Sequence, residues 1–185
     1  MSGVAPKLEQ FLAGFTRLID RAPGEAVILR EGGQLLAALV AEDDWLAAEF
    51  SAADPTRYRQ YLLHVDPAAR FCVVSFVWGP GQGSPIHDHT VWGLIGVLRG
   101  GELSQRFEQR GDAMVALGPP QPLHPGAVEA VSPRIGDIHQ VSNALADRPS
   151  VSIHVYGADI GKVERHRFDE RGQPHRFVSG YSNRA

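Results

Sequence analysis

The feature that most restricts the fold of this 185-residue chain is a series of short apolar runs between residues 71 and 157. Each run is rich in β-branched or aromatic residues, and glycines or prolines separate one run from the next. Such a series predicts many short strands joined by tight turns, because glycine and proline adopt the backbone angles that turns need. An antiparallel β-barrel or jelly roll accommodates it. The runs are FCVVSFVW, WGLIGVLRG, LSQRFEQ, AVEAVS, IHQVSN and SVSIHVYG.

The residues before Tyr58 have helical periodicity instead. The segment KLEQFLAGFTRLIDR spaces its apolar residues three or four apart, which predicts an amphipathic helix. These residues are Leu8, Phe11, Leu12, Phe15, Leu18 and Ile19. GGQLLAALVAE and DDWLAAEF predict two further helical segments, and the polar residues after Gly157 are expected to wrap around the barrel.

We therefore predict one mainly β domain over residues 1–185, with helices packed on one side of a barrel. Its expected parts are residues 1–57 for the helices, 58–157 for the barrel and 158–185 for the C-terminal wrap.

Composition excludes some classes of function. A formal net charge of −3 disfavours sequence-independent nucleic-acid binding, which needs a basic surface. We expect no membrane span, because no run approaches the roughly 20 apolar residues that cross a bilayer. Cys72 is the one cysteine, so no disulfide can form within the chain. With no charged-then-apolar leader, the expected location is the cytoplasm. The oligomeric state is not indicated.

The segment GQGSPIHDHTVWG holds two histidines one residue apart. In a strand, alternate side chains lie on the same face, so His87 and His89 would point the same way and Asp88 the opposite way. Two imidazoles on one face can share a metal such as zinc, copper, iron or nickel. A pair of surface histidines without a metal is the alternative.

The spacing around these histidines resembles the two motifs of the cupin superfamily. The resemblance implies the cupin double-stranded β-helix fold, a jelly-roll barrel. It also implies that His139 completes the metal site with His87 and His89. Gly93 stands where cupins often carry a glutamate ligand. The matching patterns are Gly81-x5-His87-x-His89-x3-Gly93-x6-Gly100 and, in GDIHQVSN, Gly136-x2-His139-x3-Asn143.

Three further segments resemble the thiol dioxygenases, the cysteine dioxygenase family. FVWGPGQGSPIHDHTVWG is similar to the approach to the family's iron site. SIHVY places Ser152, His154 and Tyr156 on one strand face, as in the family's hydrogen-bonded triad, whose tyrosine lies beside the iron. YRQYLL places Gln60 where mammalian-type enzymes carry a carboxylate-binding arginine.

This resemblance implies one Fe(2+) per chain, with a small thiol and O2 as substrates. The thiol would be converted to its sulfinate, with both oxygen atoms ending on sulfur. Tyr156, oriented by His154 and Ser152, would donate a hydrogen bond to the oxygen or the substrate carboxylate. Gln60, and Arg165 in VERHRF, would contact that carboxylate.

Two departures from the mammalian pattern indicate a branch of the family. Glutamine replaces the arginine at position 60, and Gly93 stands where mammalian-type enzymes have a cysteine that crosslinks to the tyrosine. Both changes resemble the bacterial 3-mercaptopropionate dioxygenases, which implies 3-mercaptopropionate as the substrate. The alternatives are a cysteine dioxygenase with cysteine as its main substrate, and a cupin that binds a small acid without catalysis or with another metal.

Overall fold

The structure, a computed structural model, describes residues 5–184. Helix α1 (Pro6–Asp20) begins with a proline and buries one face, as its periodicity predicts. Helix α2 (Glu25–Val27) continues through a π-helical turn (Ile28–Gly32) into helix α3 (Gly33–Val40). Across the described chain, no helix combines the length and hydropathy that crossing a bilayer requires. The buried residues of α1 are Leu8, Phe11, Phe15 and Leu18.

The segment DDWLAAEF is not the helix that its sequence predicts. It forms a 3-10 turn at Ala48–Phe50 alone. The indole N–H of Trp45 donates to the carbonyl of Leu39 at 2.9 Å, and Asp43 pairs with Arg99 on a distant strand. The side chains of this segment are therefore fixed by other elements, and these contacts take precedence over local helix propensity.

Twelve strands follow within residues 5–184. They are β1 (Arg59–Val65), β2 (Cys72–Trp78), β3 (Ile86–His87), β4 (Gly93–Arg99), β5 (Glu102–Arg110), β6 (Ala113–Ala116), β7 (Gln121–Leu123), β8 (Val128–Val131), β9 (His139–Asn143), β10 (Ser150–Tyr156), β11 (Arg165–Phe168) and β12 (Pro174–Phe177).

The strands form two sheets that face each other, which is the double-stranded β-helix expected from the sequence. One sheet has the order β1-β2-β10-β4-β8, and the other has the order β12-β11-β3-β9-β5-β6, with β7 also paired to β5. The helices cover the outer face of the first sheet, where α3 packs on β4 and β8. The inner faces of both sheets enclose the site described below.

Strand β10 shows how the sequence positions that site. Its apolar residues Val151, Ile153 and Val155 belong to the core cluster beneath the helices. Its alternate residues face the inside of the barrel, and all seven residues of the strand are buried. The alternation of apolar and polar residues therefore places one set under the helices and the other in the barrel interior.

The barrel does not end at Gly157. Strands β11 and β12 form a hairpin that extends the second sheet, with Arg167 opposite His87 in the register. The expected C-terminal wrap is thus partly a structural wall of the barrel. The hairpin covers the edge of β3, which would otherwise leave backbone groups unpaired. The terminal residues of the predicted domain, 1–4 and 185, lie outside the described residues.

Candidate metal centre

Three histidines converge inside the barrel. His87 ends β3, His89 lies two residues later, and His139 begins β9 directly opposite His87 in the register. Their ring centroids are 4.8 to 4.9 Å apart, and one ring nitrogen from each lies within 4.8 Å of the other two. The structure therefore brings together all three predicted metal ligands, although His89 lies beyond the end of β3.

The other ring nitrogen of each histidine faces an acceptor outside this cluster. The Nδ1 atom of His87 lies 3.0 Å from a backbone carbonyl, and that of His89 lies 2.9 Å from Asp137 Oδ1. The Nδ1 atom of His139 lies 4.0 Å from Glu129 Oε2, which is too far for a hydrogen bond. Acceptors such as those of His87 and His89 fix the tautomer of a metal-binding histidine and orient its ring.

The residues fit a metal ion. His89 Nε2 is buried without a hydrogen-bond partner among residues 5–184, although an unpaired buried polar atom is costly. Desolvation in the barrel, followed by the neighbouring His89, lowers the pKa of His87 to about 3, and desolvation also lowers the pKa of His139 well below its ordinary value. Both rings are therefore neutral, as a ligand must be. Neutral imidazoles suit divalent first-row metals.

The predicted triad is a continuous hydrogen-bonded chain beside the histidines. Ser152 Oγ lies 2.8 Å from His154 Nε2, and His154 Nδ1 lies 2.8 Å from the Tyr156 hydroxyl. Phe76 stacks on the His154 ring at 4.2 Å, and the Tyr156 ring stacks on His89 at 5.4 Å. Burial raises the pKa of Tyr156, so its hydroxyl keeps its proton.

A cavity of about 190 Å³ opens onto this arrangement. That volume is below the roughly 300 Å³ at which typical drug-sized sites begin, so it suits a small molecule. Two arginines line the cavity, and no acidic side chain among the described residues does. The lining residues are Tyr58, Gln60, Phe76, Trp78, Ser84, Pro85, His87, His139, Val141, His154, Tyr156, Arg165, Arg167, Phe177 and Ser179.

Gln60 and Arg165 both reach the cavity from buried positions. The side-chain amide of Gln60, on β1, donates to the carbonyl of Gly180. The guanidinium of Arg165 donates from Nη2 to Ser179 Oγ at 2.7 Å and lies 4.8 Å from the centre of the Phe177 ring. The C-terminal segment therefore holds both of the side chains that the sequence suggests for carboxylate binding.

Gly93 lies against the ring of Tyr156. A Cβ at this position would be 2.9 Å from Tyr156 Cδ1 and 3.0 Å from Cε1, so only glycine fits without displacing the ring. The structure thus places residue 93 next to the tyrosine, where the mammalian pattern has its cysteine. Cys72 lies opposite Tyr156 on β2, and burial raises the pKa of its thiol to about 11. That thiol stays protonated, and we expect no crosslink.

Some site residues were missed by sequence reasoning. Arg167 lines the cavity, Asp137 bonds to His89 from 48 residues away, and Glu129 lies 4.0 Å from His139. His166 also pairs with Asp88, with its Nδ1 atom 2.8 Å from Asp88 Oδ2. No sequence signal marked these contacts, because they depend on the register between strands.

The comparisons with known proteins agree with this geometry. A family model described as cysteine dioxygenase type I matches residues 24–171. Cysteine dioxygenase type 1 of Danio rerio is 27% identical over 139 residues, which are 73% of this chain and 66% of that protein. The Rattus norvegicus enzyme is 28% identical over 128 residues, 67% of this chain and 62% of its own. The chain thus spans just under two thirds of these relatives.

A solved structure supports the fold. A conserved protein with a double-stranded β-helix domain from Klebsiella pneumoniae superposes with a TM-score of 0.50 at 14% identity. The match covers 72% of this chain and 95% of that protein. At this identity the likeness establishes the barrel architecture alone.

Proposed function

Because this chain belongs to the cysteine dioxygenase type I family, we propose that it is an iron-dependent thiol dioxygenase that converts a small carboxylate-bearing thiol into its sulfinate. The observation that carries the proposal is the cluster of three histidines at a small cavity that contains two arginines. The reaction RSH + O2 → RSO2H is balanced without a further reductant, because sulfur supplies all four electrons.

His87, His89 and His139 would hold one ferrous ion per chain. When bound, iron(II) supplies redox chemistry with dioxygen and a positive charge that favours the thiolate form of the substrate. No carboxylate belongs to this donor set, so the charge of the ion is not offset by a protein ligand. A substrate thiolate can offset it instead.

The side chains of the protein have separate tasks around that centre. Arg165 binds the substrate carboxylate, and Gln60 contacts it from β1, in the other sheet. Tyr156 provides a phenol whose position is fixed by His154 and Ser152. Apolar side chains, among them Phe76, Val141 and Phe177, line the cavity. They exclude water from the reacting atoms, and the lower local dielectric strengthens the electrostatic contacts to the substrate.

Cysteine is the first candidate substrate, because the curated relatives are cysteine dioxygenases. One observation favours 3-mercaptopropionate as the second candidate. No acidic side chain within residues 5–184 lines the cavity, so the ammonium group of cysteine has no charged partner there. A mercapto-acid without an amino group needs none. The cytoplasmic location remains a prediction.

Oxygen uptake after anaerobic reconstitution with ferrous iron tests the function. We expect thiol-dependent uptake with cysteine or 3-mercaptopropionate, one O2 for each sulfinate formed, and much less with cysteamine, which lacks a carboxylate. Zinc-loaded protein is the matched control and should consume no oxygen. Absence of uptake with all three thiols would favour a cupin that binds a small acid without this chemistry.

The Gln60→Arg variant should raise the ratio of kcat/KM for the carboxylate-bearing thiols, cysteine and 3-mercaptopropionate, to that for cysteamine about tenfold. A guanidinium on β1 would hold the carboxylate bidentately, and one extra charge-assisted hydrogen bond is worth about that factor. The resemblance to mammalian-type enzymes implies that this arrangement suits cysteine. Gln121→Arg, at an exposed position, is the control. An unchanged ratio would exclude Gln60 as the residue that reads the carboxylate.

A further inference from the structure

A buried carboxyl group lies behind the triad. Glu102 begins β5, and its side chain is fully buried in the barrel. Neither carboxyl oxygen has a well-formed hydrogen bond to any residue that the structure describes. A buried acid without a cationic partner is costly, so its presence at this position needs an explanation.

The polar groups around this carboxyl lead to the triad. The hydroxyls of Ser152 and Ser150 and the indole N–H of Trp78 are close enough to lower the pKa of Glu102. Trp78 Nε1 also lies 3.5 Å from Ser152 Oγ. Ser152 is therefore the group through which the buried acid would act on His154, whose far side contacts the Tyr156 hydroxyl.

The donors and acceptors from Glu102 through Ser152 and His154 to Tyr156 can be arranged in two ways, in which every hydrogen bond points in the same direction along the chain. If the Glu102 carboxyl donates to Ser152, then Ser152 donates to His154 Nε2, and His154 carries its proton on Nδ1. The Tyr156 oxygen then accepts from His154, and its own proton is free to point into the cavity. If the carboxyl is ionised it can only accept, every step reverses, and Tyr156 donates to His154 instead of to a molecule in the cavity.

We propose that Glu102 is a positioning residue whose protonated form lets Tyr156 donate a hydrogen bond into the cavity and whose ionised form reverses the chain. Its effect on turnover rests on the proposed function, in which Tyr156 faces the reacting groups. The orientation of the chain itself does not depend on that function.

The environment of Glu102 favours the protonated form below about pH 7. Burial raises its pKa to about 7, and the Glu129 carboxylate adds to this rise, while the hydroxyls and the indole oppose it. Below that pKa the acid keeps its proton, and above it the acid is ionised. On β5, Arg106 pairs with Glu129. The facing groups are Trp78 from β2, Glu129 from β8, Ser150 and Ser152 from β10, and the register partners Asn143 and Leu123.

The tautomer of His154 reports the direction of the chain and can be read by ¹⁵N NMR of histidine-labelled full-length protein loaded with diamagnetic zinc. We expect the wild type to carry the proton on Nδ1 at pH 6 and on Nε2 at pH 8.5. In Glu102→Gln, whose amide is uncharged at every pH, the tautomer should not change with pH. Glu108→Gln, a half-buried position toward the other end of the same strand, should behave as the wild type.

The pH profile of thiol-dependent oxygen uptake by the iron-loaded enzyme gives the functional reading. We expect kcat/KM of the wild type to fall about tenfold between pH 6 and pH 8.5 beyond any fall seen in Glu102→Gln. Because the NMR reading needs no turnover, a lack of activity would count against the proposed function and leave the inference about Glu102 standing.

Two outcomes would overturn the inference. One is a His154 tautomer that is constant with pH in the wild type, and the other is a pH-dependent tautomer that persists in Glu102→Gln. If Glu102→Gln does not fold, Ser152→Ala replaces it, because it cuts the link and leaves the acid in place. The tautomer should then no longer follow pH, and continued dependence would contradict the proposal.

Discussion

The His139→Ala variant should not retain iron, and its thiol-dependent oxygen uptake should be more than about 100-fold below that of the wild type. Removing a group that only orients a metal ligand costs up to about 100-fold, and loss of the ligand itself should cost more. His139 supplies one of three ligand atoms that lie within 4.8 Å of one another. Two histidines alone leave a divalent ion with too few protein ligands to hold it in this site. Iron per chain and the rate of oxygen uptake are the measurements.

His124→Ala is the matched control, because His124 is exposed and does not line the cavity. It should keep both its iron and its activity. Thermal unfolding of the metal-free proteins separates loss of the ligand from loss of the fold. A folded His139→Ala protein that retained one iron per chain would contradict the proposed ligand set.

The parts of the site that could be predicted from the sequence are those set by local geometry. The period of two in a strand places Ser152, His154 and Tyr156 on one face, and the structure shows them in one hydrogen-bonded chain. The pairing of His139 with the two earlier histidines followed from the resemblance, since spacing along the chain cannot show which strands are neighbours.

The contacts between distant strands could not be predicted. Arg106 on β5 is opposite His139 on β9 in the register, and it pairs with Glu129 on β8. Glu129 therefore faces His139, and no local sequence pattern encodes this arrangement of strands. The role of the C-terminal hairpin was missed for the same reason. Its polar sequence indicates an exposed segment, but it covers the edge of β3 and places Arg165 in the cavity.

The sequence carries a partial signal for the burial of Glu102. Glu102 and Ser104 alternate along β5 and are both buried, so a polar set faces the interior of the barrel from the first residue of the strand. The sequence pattern placed the start of this strand at Leu103, one residue later. An acidic residue at an inward-facing position of a predicted strand is unusual enough to mark a functional or structural polar group.

Arg165→Met should raise KM for cysteine and for 3-mercaptopropionate by about 10- to 100-fold, the cost of about 1.5–3 kcal/mol for a hydrogen bond to a charged group. The Arg165 side chain is 4% exposed, and its Nε atom has no partner among residues 5–184, so part of its hydrogen-bonding capacity is free for a ligand. Methionine keeps the apolar stem against Phe177 and removes the charge. Steady-state oxygen uptake across the thiol panel measures the effect.

Cysteamine decides whether Arg165 acts on the carboxylate, because this thiol has none. Its kcat/KM should change less than about threefold in Arg165→Met, since no charge-assisted hydrogen bond is lost. Arg167→Met, which removes a more exposed guanidinium at the same cavity, should have the smaller effect on the mercapto-acids. An equal loss for all three thiols in Arg165→Met would mean that the arginine supports the cavity wall instead of binding the substrate, and the carboxylate site would then have to be sought at Gln60 or Arg167.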